Sequence, residues 1–292
     1  MTLSVLIPIY NYDASVLVTS LLHLAEAEGI DAEIIVADDA SSTLTEWLQN
    51  IEAEENVRVL RTGKNIGRAR NRNRMAEAAR GEWLLFTDCD AQIERDFSFR
   101  RYLQASSSAI VVSGGLRHPN QNPDPDATLR YAYEKQADRH RSAEERSRQP
   151  YAQFTPFNLF IQRELFLSIR FDESCREYGY EDVLFGVELK KRDIPILHID
   201  NPLVHIGLEP NAVFLEKSET ALRTLHSQRL RMDGLARIEN IAKRLRSFHL
   251  AGLTRSFFHL FQNTMKQNLL GNHPNLTIFA LYKLGYYLSL EE

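Results

Sequence analysis

The sequence predicts an α/β fold in which a mostly parallel sheet is covered by helices on both faces. Strand-length apolar runs alternate with helix-length stretches through the first 115 residues. Continuous apolar runs are typical of strands buried on both faces, and their alternation with helices is typical of a parallel sheet. The strands are predicted at 3–9, 32–38, 57–61, 82–88 and 109–113, and the helices at roughly 14–28, 43–53, 66–80 and 95–105.

Polar residues follow the first two strands at the points where they end. Pro8-Ile9-Tyr10-Asn11 follows the first strand, and Asp38-Asp39-Ala40-Ser41 follows the second. Such segments can be simple turns, and a serine here can cap the next helix. However, a carboxylate beside a buried strand can also accept hydrogen bonds from a nucleobase or a ribose, and a tyrosine ring can stack on a base. Because ligands collect at the carboxyl ends of parallel strands, these segments predict one crevice.

The third helix opens with Asn65-Ile66-Gly67-Arg68-Ala69-Arg70-Asn71-Arg72. A helix start and arginine side chains both favour anions, although a basic run can also be a solvated face. The fourth strand then ends in Asp88-Cys89-Asp90. Two carboxylates at a strand end suit a divalent cation and, through it, an anionic substrate; the alternative is a solvated turn.

These segments resemble, in order and spacing, the successive motifs of glycosyltransferase family 2, whose members have the Rossmann-like GT-A fold. The resemblance covers residues 3–115. It implies transfer of a sugar from a nucleotide-diphospho-sugar donor, with inversion at the anomeric carbon and Mn²⁺ or Mg²⁺ as cofactor. By position, it assigns the base to Tyr10 and Asp39, the nucleotide to Arg70, the ribose or the metal to Asp88, and direct metal ligation to Asp90. The strand-end residues Pro8 and Asn11 belong to the same donor site.

Residues 116–150 change in character. Pro119, Pro123 and Pro125 indicate a loop, and the charged stretch 127–149 predicts an exposed helix or a mobile flap, with disorder as the alternative.

Residues 151–209 resemble the acceptor half of family 2 enzymes and of related galactosyltransferases. The resemblance rests on a strand with Asn158, on Phe171-Asp172-Glu173, and on Gly179-Tyr180-Glu181-Asp182. It implies that Asp182 is the general base and that Glu181 contacts the acceptor, while Asn158 lines the acceptor pocket. The aromatic pair at 178 and 180 suggests stacking of Tyr180 on a sugar. The alternative is that both acids are simply first-turn residues of a helix.

A histidine at the end of this region is the third expected metal ligand. The resemblance assigns this role to His205, and imidazole is an acceptable ligand for Mn²⁺. His198 lies two residues before Asp200 in a short apolar strand and is the competing candidate.

Residues 210–292 predict a helical extension. Aromatic and aliphatic residues recur there near the helical period. The segment either packs on the catalytic body or a second subunit, or contacts a membrane surface peripherally through residues 247–292 and so approaches a lipid-linked acceptor.

Composition excludes several classes of protein. An apolar content of 43% argues against global disorder, and two cysteines provide neither a disulfide framework nor a zinc pattern. No signal-type lead and no uncharged apolar run of bilayer length is present, so a cytoplasmic location is expected, with the inner membrane face as a peripheral site. Residues 1–209 carry a net charge of −9 and residues 210–292 one of +5, which argues against a nucleic-acid partner.

The expected protein is an inverting, metal-dependent glycosyltransferase. Its catalytic domain would span residues 1–209, with a nucleotide-sugar half at 1–115, the 116–150 segment, and an acceptor half at 151–209. The donor would be UDP- or GDP-linked, and the acceptor a glycan or a lipid-linked saccharide in polysaccharide or glycoconjugate synthesis. The alternatives are a nucleotide-sugar-binding scaffold without turnover and a sugar nucleotidyltransferase.

Overall fold

The computed structural model describes residues 2–42, 46–175 and 179–291, so the predicted helix start at 43–45 and Tyr178 lie outside it. The strands are β1 Leu3–Ile9, β2 Ala32–Asp38, β3 Val57–Arg61, β4 Trp83–Thr87, β5 Ala91–Gln92, β6 Val111–Ser113, β7 Leu116–Arg117, β8 Asn158–Gln162, β9 Leu197–His198 and β10 Leu203–His205. The helices are α1 Ser15–Glu28, α2 Glu46–Glu52, α3 Arg68–Ala78, α4 Phe99–Ala105, α5 Thr128–Asp138, α6 Ala143–Ser147, α7 Arg163–Ile169, α8 Glu181–Lys191, α9 Asn211–Gln228, α10 Arg237–Ser247, α11 Ala251–Leu270 and α12 Leu276–Ser289.

The central sheet has the strand order β3-β2-β1-β4-β8-β6-β9. The strands β1 to β4 run parallel, which confirms the predicted mostly parallel sheet. β8 lies between β4 and β6 and is antiparallel to both, so that its first residue, Asn158, pairs with Thr87 at the end of β4. The carboxyl ends of β1, β2 and β4 therefore meet at one edge of the sheet, where the polar residues that follow these strands predicted a crevice.

Helices cover both faces of this sheet, and the strand residues alternate between two cores. Val5 and Ile7 point into a core with α1, α2 and α4, whereas Leu6 points into the core with α3, α7 and α8. Because both faces are covered, the middle positions of these strands, such as residues 5–7 and 34–37, are all apolar, and the sequence shows continuous apolar runs rather than alternation.

A small second sheet, with the order β5-β10-β7, stands at the same edge. β10 pairs antiparallel with β5, which places His205 opposite Ala91. Since Asp90 immediately precedes β5, this pairing joins residues that lie 115 positions apart in the chain.

The 116–150 segment is helical over much of the charged stretch, as one of the predicted alternatives had it, but these helices are not simply exposed. It forms α5 and α6, and two of its charged side chains, Glu134 and Arg146, are buried. Arg146 donates to the carbonyl oxygens of Ser113 at 3.1 Å and Ile199 at 2.7 Å. Charged side chains of this segment therefore form hydrogen bonds inside the protein. The density of charge in the sequence does not indicate such buried contacts.

The C-terminal residues form the predicted helices, α9 to α12, and they pack on the body. Phe258 and Met265 of α11 share a core with Phe279 of α12 and with Leu129 of α5. Gly285 permits this approach, because a Cβ there would lie 2.6 Å from the Cβ of Phe258. Among the described residues, no helix is long and apolar enough to cross a membrane.

Candidate active site

Two cavities open at the carboxyl edge of the sheet. The first, called here the β1 cavity, has a volume of about 360 Å³ and is lined by the ends of β1 and β2. The second, the α8 cavity, has a volume of about 330 Å³ and is lined by the start of α8 and by β10. Both share a set of charged side chains, which are Arg68, Arg72, Asp88, Asp90 and Glu181. A ligand in either cavity would therefore meet the same cluster.

The β1 cavity is lined by Tyr10 and Asp39, which were assigned to the donor base, and by Pro8, which was assigned to the same donor site. Asp39 is buried, and its two carboxylate oxygens accept the backbone N–H groups of Ile66 at 2.7 Å and Gly67 at 2.9 Å. Gly67 has a φ of 87°, a conformation that side chains disfavour. Asp39 thus fixes the loop before α3, while Tyr10 lies exposed at the cavity wall.

Asn11 and Arg70, which were also assigned to the donor site, do not line either cavity. The Asn11 side chain accepts the backbone N–H of Ser42 at 2.8 Å and so ties the two strand ends together. Arg70 is 61% exposed and lies 3.7 Å from Glu173. The reason is the helical period: Arg68 and Arg72 share one face of α3, and Arg70 points to another.

Arg72 is the central residue that sequence reasoning missed. Its buried guanidinium donates to Asp88 at 2.6 Å and to Glu181 at 3.3 Å. Burial by itself would raise the pKa of Asp88, but the charges of Arg72 and Arg68 outweigh it, so this pKa lies below its ordinary value. The detectable signal was the spacing of Arg72 four residues after Arg68, on the helix face that also buries Ala69 and Ala76.

Asp90 and His205 meet as predicted. Asp90 Oδ2 lies 3.0 Å from His205 Nε2, and Gly207 allows this approach, since a Cβ there would lie 2.2 Å from the same oxygen. The competing candidate, His198, is buried elsewhere against the guanidinium of Arg146 at 2.8 Å. Burial and that guanidinium lower the pKa of His198 to about 4.

A second histidine, His118, orients His205. Its Nε2 lies 3.2 Å from His205 Nδ1, and its Nδ1 lies 2.9 Å from Asp138 Oδ1. Burial lowers the pKa of His118 below its ordinary value despite Asp138, so the ring is neutral at pH 7. Assigned from these partners, His118 donates to Asp138 and accepts from His205 Nδ1, which leaves Nε2 of His205 as the ring atom that faces Asp90.

The pair of Asp90 and His205 provides part of a binding site for a divalent cation. Two acceptors that face each other at 3.0 Å need a proton or a cation between them, and neighbouring ligands of an octahedral ion at about 2.1 Å are separated by roughly this distance. Within the described ranges, however, no three His, Cys, Asp or Glu side chains converge on a metal position. Asp88, the third predicted ligand, pairs with Arg72 instead. Asp90 and His205 would therefore hold Mn²⁺ or Mg²⁺ together with oxygens of a bound diphosphate.

Asp182 lies in the α8 cavity only, at the first turn of α8. Burial, followed by the charge of neighbouring Glu181, raises the pKa of Asp182 to about 7. The backbone N–H of Val183, 2.8 Å away, opposes this rise without cancelling it. A carboxylate with a pKa near 7 is matched to the role of a general base at neutral pH.

Asn158 and Tyr180, which were assigned to the acceptor, do not line the α8 cavity. The Asn158 amide donates to the carbonyl oxygens of Gly115 at 2.8 Å and Asn201 at 2.9 Å, and its oxygen accepts from Tyr102. All of its hydrogen-bonding groups are thus used within the protein. Tyr180 packs against the apolar cluster of the C-terminal helices, with φ of 68° at the start of α8.

The sheet is mostly parallel, and its strand β4 leads into an Asp-x-Asp beside a cavity lined by a second pair of acids. This is the architecture of GT-A glycosyltransferases. Residues 4–169 match the family model described as glycosyl transferase family 2, and the chain belongs to that family. Two curated relatives match shorter segments. Uncharacterized protein MT1568 of Mycobacterium tuberculosis is 34% identical over 91 residues, and succinoglycan biosynthesis protein ExoO of Rhizobium meliloti is 30% identical over 100. These segments cover 31% and 34% of this chain, and only 28% of the length of each relative.

Solved structures share the fold at low identity. Mannosyl-3-phosphoglycerate synthase from Rubrobacter xylanophilus has a TM-score of 0.55 at 18% identity, covering 81% of this chain and 76% of its own. S. aureus TarS 1–349 in complex with UDP has a TM-score of 0.51 at 17% identity, covering 98% and 89%. The mannosyltransferase from Pyrobaculum calidifontis, in complex with GDP-Man and Mn²⁺, has a TM-score of 0.53 at 15% identity, covering 98% and 84%.

Proposed function

We propose that the chain transfers a sugar, with inversion, from a UDP- or GDP-linked donor to an acceptor hydroxyl, and that this transfer requires Mn²⁺ or Mg²⁺. The observation that carries the proposal is the meeting of two cavities at one charged cluster, with Asp182 on the side of the α8 cavity alone. The donor would occupy the β1 cavity, and the acceptor the α8 cavity. The reacting carbon then lies at their junction.

The donor-side roles follow from this placement. Tyr10 stacks on the base, and Asp39 shapes the wall by holding the loop before α3. Arg68 and Arg72 lie at the junction, where their charges favour the diphosphate. Asp90 and His205 hold the divalent cation, which when bound neutralises charge that develops on the leaving nucleoside diphosphate.

The acceptor-side role belongs to Asp182. Its carboxylate takes the proton of the acceptor hydroxyl while the oxygen of that hydroxyl forms a bond to the anomeric carbon. The bond from this carbon to the diphosphate oxygen breaks on the opposite face, so the configuration inverts and no covalent enzyme intermediate forms. Glu181, which is buried and held by Arg72, contributes to the acceptor wall and keeps the pKa of Asp182 high.

The acceptor class we propose is a glycan or a lipid-linked saccharide, in polysaccharide or glycoconjugate synthesis. Support comes from the name of one relative, a succinoglycan biosynthesis protein, which matches 34% of this chain. The solved complexes with UDP and with GDP-Man support a choice between these two donors.

The test is a thermal-unfolding screen with nucleoside diphosphates and nucleotide sugars, with and without Mn²⁺. A ligand that binds only the native state raises the unfolding midpoint by mass action. We expect one nucleotide to raise it in a Mn²⁺-dependent way, and Asp90→Ala to remove that dependence, while Glu54→Ala, an exposed control, keeps it. No response to any nucleotide would refute the proposal. Binding without release of nucleoside diphosphate in the presence of glycan acceptors would favour the scaffold alternative.

A further inference from the structure

Lys217 of α9 lines the β1 cavity, and no other described residue of the helices α9 to α12 does so. Its Nζ lies 2.6 Å from Glu209 Oε1, and its side chain is 36% exposed. Glu209, which follows β10, lines the α8 cavity instead. This ion pair has one member in each cavity, so it lies where the two cavities meet.

The place where the cavities meet carries too little positive charge of its own for a diphosphate. The five charged side chains that line both cavities are two arginines and three carboxylates, so their formal net charge is −1. The diphosphate of a nucleotide sugar carries a negative charge on each phosphate. A divalent cation at Asp90 and His205 would supply part of the missing positive charge, and the ammonium of Lys217 supplies a further cation from α9.

The packing of α9 fixes the position from which Lys217 reaches the cavity. The side chain of Asn211, at the start of the helix, accepts the backbone N–H of Leu129 at 2.7 Å and donates to the carbonyl oxygen of Gly271 at 3.0 Å. Phe214, about one helical turn before Lys217, is buried in the core that also contains Leu129. Contacts with α5 and with the end of α11 therefore hold the base of the Lys217 side chain in place.

Glu209 can orient Lys217 without using all of its donors. Burial by itself would raise the pKa of Glu209, but the hydrogen bond from Lys217 and the charge of Arg130 outweigh it, so this pKa lies below its ordinary value. Glu209 is therefore an ionised partner at pH 7. A lysine ammonium has three N–H donors on a flexible stem, so Lys217 can donate to Glu209 and to a second anion at the same time.

We propose that Lys217 binds the diphosphate of the donor, so that the helical extension completes the donor site. The inference rests on the proposed function, because it takes the donor to occupy the β1 cavity. The ammonium donates to a diphosphate oxygen beside Arg68 and Arg72, and Glu209 keeps the side chain directed to the place where the cavities meet.

The experiment is titration of the purified full chain with UDP and with GDP in a calorimeter, in the presence of Mn²⁺. Lys217→Met keeps most of the apolar stem but removes the charge, and it should weaken binding of the nucleotide that the wild type prefers about tenfold, because a charge-assisted hydrogen bond is lost. The matched control is Lys266→Met, which removes a 42% exposed lysine that pairs with Glu219 of α9 at 3.2 Å, outside both cavities. It should bind the nucleotide like the wild type.

Glu209→Gln separates a binding role of Lys217 from a structural one. It breaks the same ion pair but keeps the ammonium and removes a negative charge beside it, so nucleotide affinity should not fall. Unchanged affinity in Lys217→Met, or an equal loss in Lys217→Met and Glu209→Gln, would overturn the inference and leave the proposed function standing. If the wild type binds neither UDP nor GDP, the donor assignment itself fails, and this inference fails with it.

Discussion

Asp182→Asn should stabilise the protein at alkaline pH while removing the proposed base. The native structure raises the pKa of Asp182 from 3.8 to about 7, mainly by burial and then by the charge of Glu181. Ionised Asp182 is therefore less favourable in the folded chain than in the unfolded chain. Asparagine has nearly the same shape, carries no charge and can still accept the N–H of Val183.

The sign and size of this stability change follow from proton linkage. Between pH 3.8 and about 7 the folded chain binds more protons at this position than the unfolded chain, so stability falls as the pH rises through that window. At 1.36 kcal/mol per pKa unit, the full cost above pH 7 is about 4 kcal/mol. Partial exposure of Asp182 to solvent reduces it to about 2 kcal/mol. The stability gain of Asp182→Asn should thus be about 2 kcal/mol at pH 8 and near zero at pH 4.

Urea unfolding of wild type and variant at pH 8 and pH 4 measures this difference without knowledge of either substrate. Asp193→Asn makes the same change at an exposed position just after α8 and should leave stability unchanged. Transfer by wild-type enzyme should fall as the pH drops below about 7, because the base becomes protonated. A loss of stability in Asp182→Asn at pH 8, or a gain that does not depend on pH, would refute the account of Asp182.

Three further substitutions test the cluster. Arg72→Met should destabilise the protein by about 3–5 kcal/mol in thermal unfolding, because it leaves the carboxylates of Asp88 and Glu181 without their cationic partner. The control Arg70→Met, at an exposed site, should change stability by less than about 0.5 kcal/mol. His118→Phe should weaken Mn²⁺ binding in the presence of nucleotide about 10–100-fold, measured by calorimetry, because His205 loses the partner that fixes the orientation of its ring. The control His140→Phe, at an exposed position, should leave Mn²⁺ binding unchanged. Gly207→Ala should weaken the same binding, since the added carbon collides with the Asp90 carboxylate, and unchanged affinity would mean that Asp90 is no ligand.

The sheet could be predicted from sequence because its strands are apolar on both sides. Runs such as Trp83–Thr87 satisfy two cores at once, and each predicted strand through residue 113 is present. That Asp90 and His205 should lie together was expected from the resemblance to glycosyltransferase family 2, which assigns both residues to the metal. What fixes their contact, the pairing of β5 with β10, joins strands of only two and three residues that have no clear periodic signal.

Partner choice within the site could not be predicted in the same way. Asn11 and Asn158 have the polarity expected of ligand-binding residues, but their hydrogen bonds go to Ser42 and to the backbone at Gly115 and Asn201. His118 was missed because it lies beside a proline-rich loop and a charged stretch. Its contacts, with a residue 20 positions away and another 87 positions away, exist only once the chain is folded.

Arg72 makes the two halves of the site thermodynamically interdependent. One guanidinium serves Asp88, 16 residues away in the chain, and Glu181, 109 residues away. An acceptor that draws Glu181 from this guanidinium alters the electrostatic environment of Asp88, and a donor that displaces Asp88 alters that of Glu181. By linkage, each ligand must then change the affinity of the other by the same factor. If donor and acceptor occupy the two cavities as proposed, the affinity for the donor should therefore depend on whether the acceptor site is occupied.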